Sequence, residues 1–71
     1  MQRYVILIEP TASGFSAYSP DLQGCVATGA TRADVEQNMR DAVELHLEGL
    51  RENGELVPPP STSAAYVEVA A

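Results

Sequence analysis

The sequence predicts an α+β fold in which three short strands, one long helix and a fourth strand follow in β-β-β-α-β order. Three observations support this prediction. Short segments rich in Val, Ile and Tyr are bounded by Gly and Pro. A longer central stretch carries apolar side chains at helical spacing, and a last apolar segment follows three consecutive prolines. We therefore expect a two-layer sandwich with the single helix on one face of the sheet.

The first strand is predicted over about 3–9, where the chain is rich in strand-forming residues and then meets Pro10. Alternation places apolar side chains on both faces of this strand, as in a strand that is buried on both sides. Pro20 has no N–H to donate to a ladder and should end the second strand. The remaining strands are predicted over about 15–19, 25–28 and 65–70.

The helix is predicted over about 32–52. Thr31 is suited to the N-cap, Asp34 places negative charge in the first turn, and Gly54 is suited to the C′ position. Gly49 lies inside the helix, and we expect it to allow close approach to the sheet. The residues expected to face the core share one arc of the helix: Val35, Met39, Ala42, Val43, His46 and Leu50, with Leu45 and Leu47 flanking it.

The direction of the chain predicts the sheet order 3-2-1-4. Strands one to three form a meander, and the helix returns the chain so that strand four runs parallel to strand one in a right-handed crossover. One helix covers only one face of such a sheet, although strand one is apolar on both. We expect a partner on the uncovered face, or self-association of the chain as a dimer or tetramer.

Composition limits the classes of function. The 71 residues predict one domain, 1–71, and the net charge of −6 arises from four arginines and ten acids. Direct nucleic-acid binding by this chain alone is not expected, because clustered positive charge is missing. The acidic balance favours either a basic partner or simply solubility. With no signal peptide, membrane span or cysteine pair, we expect a cytoplasmic protein without membrane contact.

Candidate catalytic groups are isolated in the sequence. His46 lies on the apolar arc of the helix, which favours a packed or interface histidine over a general base. Cys25 has no arginine close in sequence, which favours a structural thiol. The strand carboxylates Glu9 and Glu68 complete no convergent triad. We therefore expect no enzymatic activity, no cofactor and no metal.

Two groups of residues are candidates for binding a partner. The first is the loop of Asp21, Leu22 and Gln23, where Asp21 serves either turn geometry or a contact with the partner. The second is the stripe of Glu44 and Glu48, which continues to Asp41 and Glu52 opposite the apolar arc. This stripe is either a solvated face, with Glu36–Arg40 and Glu48–Arg51 pairs offsetting its repulsion, or a docking surface for a basic protein.

The order of these motifs resembles the HicB family of antitoxins. The resemblance rests on Tyr-Ser-Pro-Asp-Leu-Gln-Gly-Cys at 18–25, Gly-Ala-Thr at 29–31, the helix segment 38–50, Asn-Gly at 53–54 and the proline run at 58–60 with the serine that follows it. The family loop usually has proline where this chain has Gln23. The resemblance implies a partial ribonuclease H fold without the nuclease carboxylates.

The resemblance also implies a function as an antitoxin. Family members bind HicA, a small basic mRNA interferase, and block its active site. Many carry a C-terminal DNA-binding segment, and nothing in this sequence matches it, so autorepression by this chain alone is not expected. The alternative is a stand-alone oligomeric scaffold or small-ligand regulatory module that uses the same fold.

Overall fold

The computed structural model describes residues 2–70 and contains three strands followed by one helix. The strands form an antiparallel meander in the order β1-β2-β3, and the helix packs against one face of this sheet. The α+β class and the layered arrangement agree with the prediction. The elements are β1 (Leu7–Pro10), β2 (Phe15–Tyr18), β3 (Val26–Gly29) and α1 (Arg32–Glu52).

The strand β1 begins at Leu7, four residues later than predicted, because its partner strand cannot extend the ladder. Leu7 is paired with Tyr18, and the same register would place Val5 opposite Pro20. Pro20 has no N–H to donate. The hydroxyl of Ser19 instead donates to the carbonyl of Val5 at 2.9 Å, so a side chain continues the contact where the backbone ladder stops.

The remaining strand boundaries lie within one residue of the prediction. The strand β2 ends at Tyr18, because Ser19 has turned its buried side chain to Val5. The strand β3 begins at Val26 instead of Cys25, because the N–H of Cys25 donates to the carbonyl of Leu22 within the preceding loop. Local hydrogen bonds in the loop between the two strands therefore determine where β2 ends and where β3 begins.

The predicted fourth strand and the sheet order 3-2-1-4 are not formed. Residues 65–70 have no regular secondary structure, and within residues 2–70 no backbone hydrogen bond joins them to β1. Three prolines and an anchored segment precede them, and their side chains are exposed. The sheet consequently has three strands, and the edge of β1 remains unpaired in the described part of the chain.

The helix α1 has the predicted bounds, and its ends explain them. The N–H of Asp34 donates to the Thr31 hydroxyl at 3.0 Å, so Thr31 is the N-cap. Asn53 follows the last helical residue, and Gly54 adopts φ of 69°, the left-handed conformation that glycine tolerates best. No helix of the described chain has the length and apolar character needed to cross a membrane.

The core lies between α1 and the sheet. Val35 and Met39 of the helix are fully buried there, while the predicted His46 and Leu50 are half-buried and Leu45 is 71% exposed. Residues from β2 and the following loop complete the core: Ala17, Leu22 and Cys25.

Close approach of the helix to the sheet occurs at Gly29, and the prediction that placed it at Gly49 is wrong. A Cβ atom on Gly29 would lie 2.4 Å from the backbone nitrogen of Val35, so only glycine fits where α1 begins. A Cβ atom on Gly49 would meet no atom within 4 Å. The first turns of the helix, rather than its last, are therefore pressed against the sheet.

Candidate functional site

The loop that follows β2 holds three of the predicted partner-binding residues in three different environments. Two turn hydrogen bonds shape it, from Leu22 N–H to Ser19 and from Cys25 N–H to Leu22, both at 3.1 Å. The side chain of Leu22 is only 1% exposed and packs in the core. Gln23 is exposed, and Asp21 is half-buried. Of these three side chains, Gln23 has the most freedom to contact another protein.

The carboxylate of Asp21 binds the segment that follows the three prolines. Its Oδ2 atom accepts from the backbone N–H groups of Ser61 and Thr62, each at 3.0 Å. Its Oδ1 atom accepts from the two hydroxyl groups, at 3.0 Å from Ser61 and 2.8 Å from Thr62. These bonds, first of all the one from the Thr62 backbone, lower the pKa of Asp21 from its ordinary value of 3.8.

The proline segment is thus fixed at both of its ends. At the other end, the hydroxyl of Tyr4 donates to the carbonyl of Pro58. Turn geometry and contact with a partner were the two roles predicted for Asp21, and neither prediction included this anchor. The signal was present only as Ser61 and Thr62, two hydroxyl residues after the prolines that can donate to a carboxylate.

The acidic stripe of α1 is exposed along its whole length. Glu44 and Glu48 are one helical turn apart, about 6 Å along the axis, and both are exposed, as are Asp41 and Glu52. The predicted Glu36–Arg40 and Glu48–Arg51 pairs are not formed. The ion pair found within residues 2–70 instead joins Arg32 and Glu36, whose Nε and Oε2 atoms are 3.9 Å apart. Glu48 therefore presents its charge to solvent without a cationic partner at ion-pair distance.

A groove with the opposite charge runs between residues 2–6 and α1. It encloses about 720 Å³ and contains Arg3, Arg40 and Arg51, three of the four arginines of the chain, together with Glu36 and Glu44. Its floor is apolar and consists of Tyr4, Ile6, Met39, Val43 and Leu47. This concentration of arginines could not be predicted from the sequence, because the three residues lie far apart along the chain.

The face of the sheet that α1 does not cover carries a row of exposed apolar side chains. Leu7 of β1 is paired with Tyr18 of β2, which is paired with Val26 of β3. All three are large apolar residues that remain exposed. The next row on the same face is polar and consists of Glu9, Ser16 and Thr28. Of the second apolar face predicted for the first strand, β1 contributes only Leu7, because Val5 precedes the strand and Glu9 follows on the same face. Nothing in the described chain covers the apolar row.

Groups that could perform chemistry are dispersed. Cys25 is buried, and burial raises the pKa of its thiol above the ordinary value of 9.0. His46 is half-buried on the helix. Within residues 2–70, no three His, Cys, Asp or Glu side chains are grouped so that they could hold a metal ion. The features that these residues do present are surfaces: an acidic stripe, an arginine-lined groove and an apolar row.

Comparison with known proteins assigns the chain to a family. Residues 4–70 match the model of the HicB-like antitoxin of bacterial toxin–antitoxin systems. The chain is 31% identical over 64 residues to an uncharacterized 14.9 kDa protein in the rep-hol intergenic region of Haemophilus phage HP1. This match covers 90% of the present chain but only 48% of the phage protein.

Two solved structures are similar to the fold. A chain of the HicA3 and HicB3 toxin–antitoxin complex is 40% identical with a TM-score of 0.73, covering 83% of this chain and 70% of that one. The crystal structure of antitoxin HicB3 is 38% identical with a TM-score of 0.71, covering 84% of this chain and 44% of that one. The match of the family model over nearly the whole sequence shows that this chain belongs to the HicB-like antitoxin family of bacterial toxin–antitoxin systems.

Proposed function

We propose that the chain is the antitoxin of a type II toxin–antitoxin pair, which binds a small basic HicA-like mRNA interferase and occludes its active site. The observation that carries this proposal is the family match over residues 4–70. The 40% identity to a chain of a toxin–antitoxin complex supports the same partner class. Because the chain spans about half of the phage relative and of HicB3, the partner remains a proposal for this protein.

The surface proposed for the toxin is the acidic stripe of α1, together with the exposed Gln23. The net charge of −6 would attract a basic protein, and exposed Glu44 and Glu48 lie side by side on the same helix. Within the loop, the side chain of Leu22 is buried and Asp21 is occupied by the anchor, so neither is proposed as a direct contact. The chain would act by covering the toxin, without catalysis of its own.

Charge and apolar contacts should affect different steps of binding. Charges at the rim of an interface mainly accelerate the encounter and are screened by salt. Apolar contacts at the centre of the interface mainly set how long the complex persists. Reversing the acidic stripe should therefore slow association more than it accelerates dissociation.

The test is co-expression with a small basic protein encoded beside this chain, followed by size-exclusion chromatography and an RNA-cleavage assay. We expect a specific complex and loss of cleavage. In stopped-flow measurements, Glu48→Lys, and more strongly Glu44→Lys with Glu48→Lys, should reduce the association rate. We expect the double reversal to reduce the association rate roughly tenfold at low salt, and by a smaller factor at high salt.

The matched control is Glu9→Lys, which makes the same charge change on the polar row of the sheet face that α1 does not cover. It should affect association less than Glu48→Lys. Equal effects of the two variants would mean that the acidic stripe is not the contact surface. If no basic neighbour forms a complex or is inhibited, the antitoxin proposal fails and the scaffold alternative replaces it.

A further inference from the structure

Residues 63–70, the tail, expose several large apolar side chains to solvent. Tyr66 is 99% exposed, Val67 82% and Val69 78%. Val and Tyr favour strands, and the sequence alone predicts a strand over about 65–70. Within the described residues, the tail makes no hydrogen bond to the remainder of its own chain. The tail therefore has the composition of a strand but is not part of the sheet.

The edge of β1 provides an open place in a sheet. β1 pairs with β2 on one side, and β2 pairs with β3, so within residues 2–70 the other edge of β1 is unpaired. An unpaired edge presents N–H and C=O groups that can bind another strand. A gap of about 350 Å³ is lined by residues 6–9 and Arg32, together with Ala64 and Tyr66 of the tail.

The gap separates the edge of β1 from the chain's own tail. Asp21 holds Ser61 and Thr62, so the start of the tail is fixed. Ala64 and Tyr66 line the gap beside β1, but the tail makes no backbone hydrogen bond to β1 within residues 2–70. The groups that line the gap also suit the tail chemically. The tail carries one acid, Glu68, and Arg32 places a positive charge at the gap, which it shares with Glu36 at 3.9 Å. Glu9 on β1 restricts where Glu68 can lie.

We propose that two copies of this chain exchange tails, and that the tail of each copy enters the gap and pairs with the β1 edge of the other. Each chain has both an unpaired β1 edge and an unpaired tail. A single exchange about a two-fold axis would therefore pair both edges with both tails. Each exchanged tail would bring Val67 and Val69 out of solvent and would place Glu68 towards Arg32. Since this pairing needs no toxin, it goes beyond the proposed function and can fail or hold independently of it.

The first test measures the mass of the full-length chain by light scattering at high micromolar concentration. Wild type should have about twice the 7.6 kDa mass of one chain. Successive N–H groups of a strand point to opposite edges, so either Val67→Pro or Glu68→Pro removes a hydrogen bond to β1. At least one of these variants should weaken the dimer by tenfold or more. Val67→Ala and Glu68→Ala, which keep their N–H groups, are the matched controls and should weaken it less.

Neither proline variant should unfold the monomer, because the tail makes no hydrogen bond to its own chain within residues 2–70; unchanged helical circular dichroism checks this. A monomeric wild type would overturn the proposal. So would a dimer that both proline variants leave intact, because the copies would then associate through another surface, such as the apolar row of Leu7, Tyr18 and Val26.

The second test asks whether the tail joins its own chain or the other copy. The double variant Arg32→Cys with Glu68→Cys is oxidised and its mass is measured without reductant. A covalent dimer supports exchange between copies. A monomer with an internal disulfide would overturn it, since the tail would then fold onto its own β1. Arg51→Cys with Glu68→Cys, in which position 51 lies in the last turn of α1 and not at the gap, is the control and should cross-link poorly.

Discussion

Thr62 donates both its backbone N–H, at 3.0 Å, and its hydroxyl, at 2.8 Å, to the carboxylate of Asp21. The two residues are 41 positions apart in the chain. Together with the equivalent bonds from Ser61, this contact ties the loop after β2 to the segment after the prolines. The Pro-Asp-Leu-Gln-Gly loop is thus a structural anchor, and its aspartate determines where the tail begins.

The Asp21 anchor should depend on pH at acid values. Hydrogen bonds to the ionised carboxylate lower its pKa below 3.8 in the folded chain. The anchor therefore contributes stability above that pH and loses it as the pH falls through the lowered pKa. In NMR titrations, the amide signals of Ser61 and Thr62 should move with a midpoint below 3.8.

Asp21→Asn should remove this acid transition and accelerate hydrogen exchange at the Ser61 and Thr62 amides, because the neutral amide offers one acceptor oxygen instead of two. Amides in the middle of α1 are the internal reference and should keep their exchange rates. A titration midpoint at or above 3.8 in the wild-type chain would show that the anchor is not formed in solution.

Two glycine-to-alanine substitutions should change stability in opposite directions. Gly49→Ala should stabilise the chain by up to about 1 kcal/mol, because the new methyl group meets no atom within 4 Å and alanine is the better helix former. Gly29→Ala should destabilise it by about 1–3 kcal/mol, because its Cβ would lie 2.4 Å from the Val35 nitrogen.

Urea denaturation of both variants beside wild type measures this difference. The pair serves as its own control, since the chemical change is identical and only the surroundings differ. A destabilising Gly49→Ala would mean that a neighbouring molecule packs against this part of the helix. A neutral Gly29→Ala would mean that α1 does not approach β3 as closely as described.

Cys25 should react slowly with thiol reagents while the chain is folded. Its side chain is buried, and burial raises the pKa of the thiol, so the reactive thiolate is scarce at neutral pH. Labelling with a maleimide or a disulfide reagent should be slow in buffer and fast in denaturant. Rapid labelling of the folded chain, at a rate close to that in denaturant, would contradict the buried position.

The sequence by itself determined the elements whose signals are local. The helix bounds follow from Thr31 at the N-cap, apolar residues at helical spacing and Gly54 after the last turn, and the structure reproduces them. The order of strands, loops and helix also carried the family resemblance, which the family model confirms. Such signals survive in a single sequence because capping and periodicity act over a few residues.

The tertiary structure alone decided everything that depends on contacts between distant residues. It shortened the first strand because Pro20 would lie opposite Val5, and it left the predicted fourth strand outside the sheet. It brought Asp21 to Ser61 and Thr62, and it gathered three arginines of an acidic chain in one groove. No local pattern encodes such pairings, because register and long-range hydrogen bonds exist only once the chain has folded.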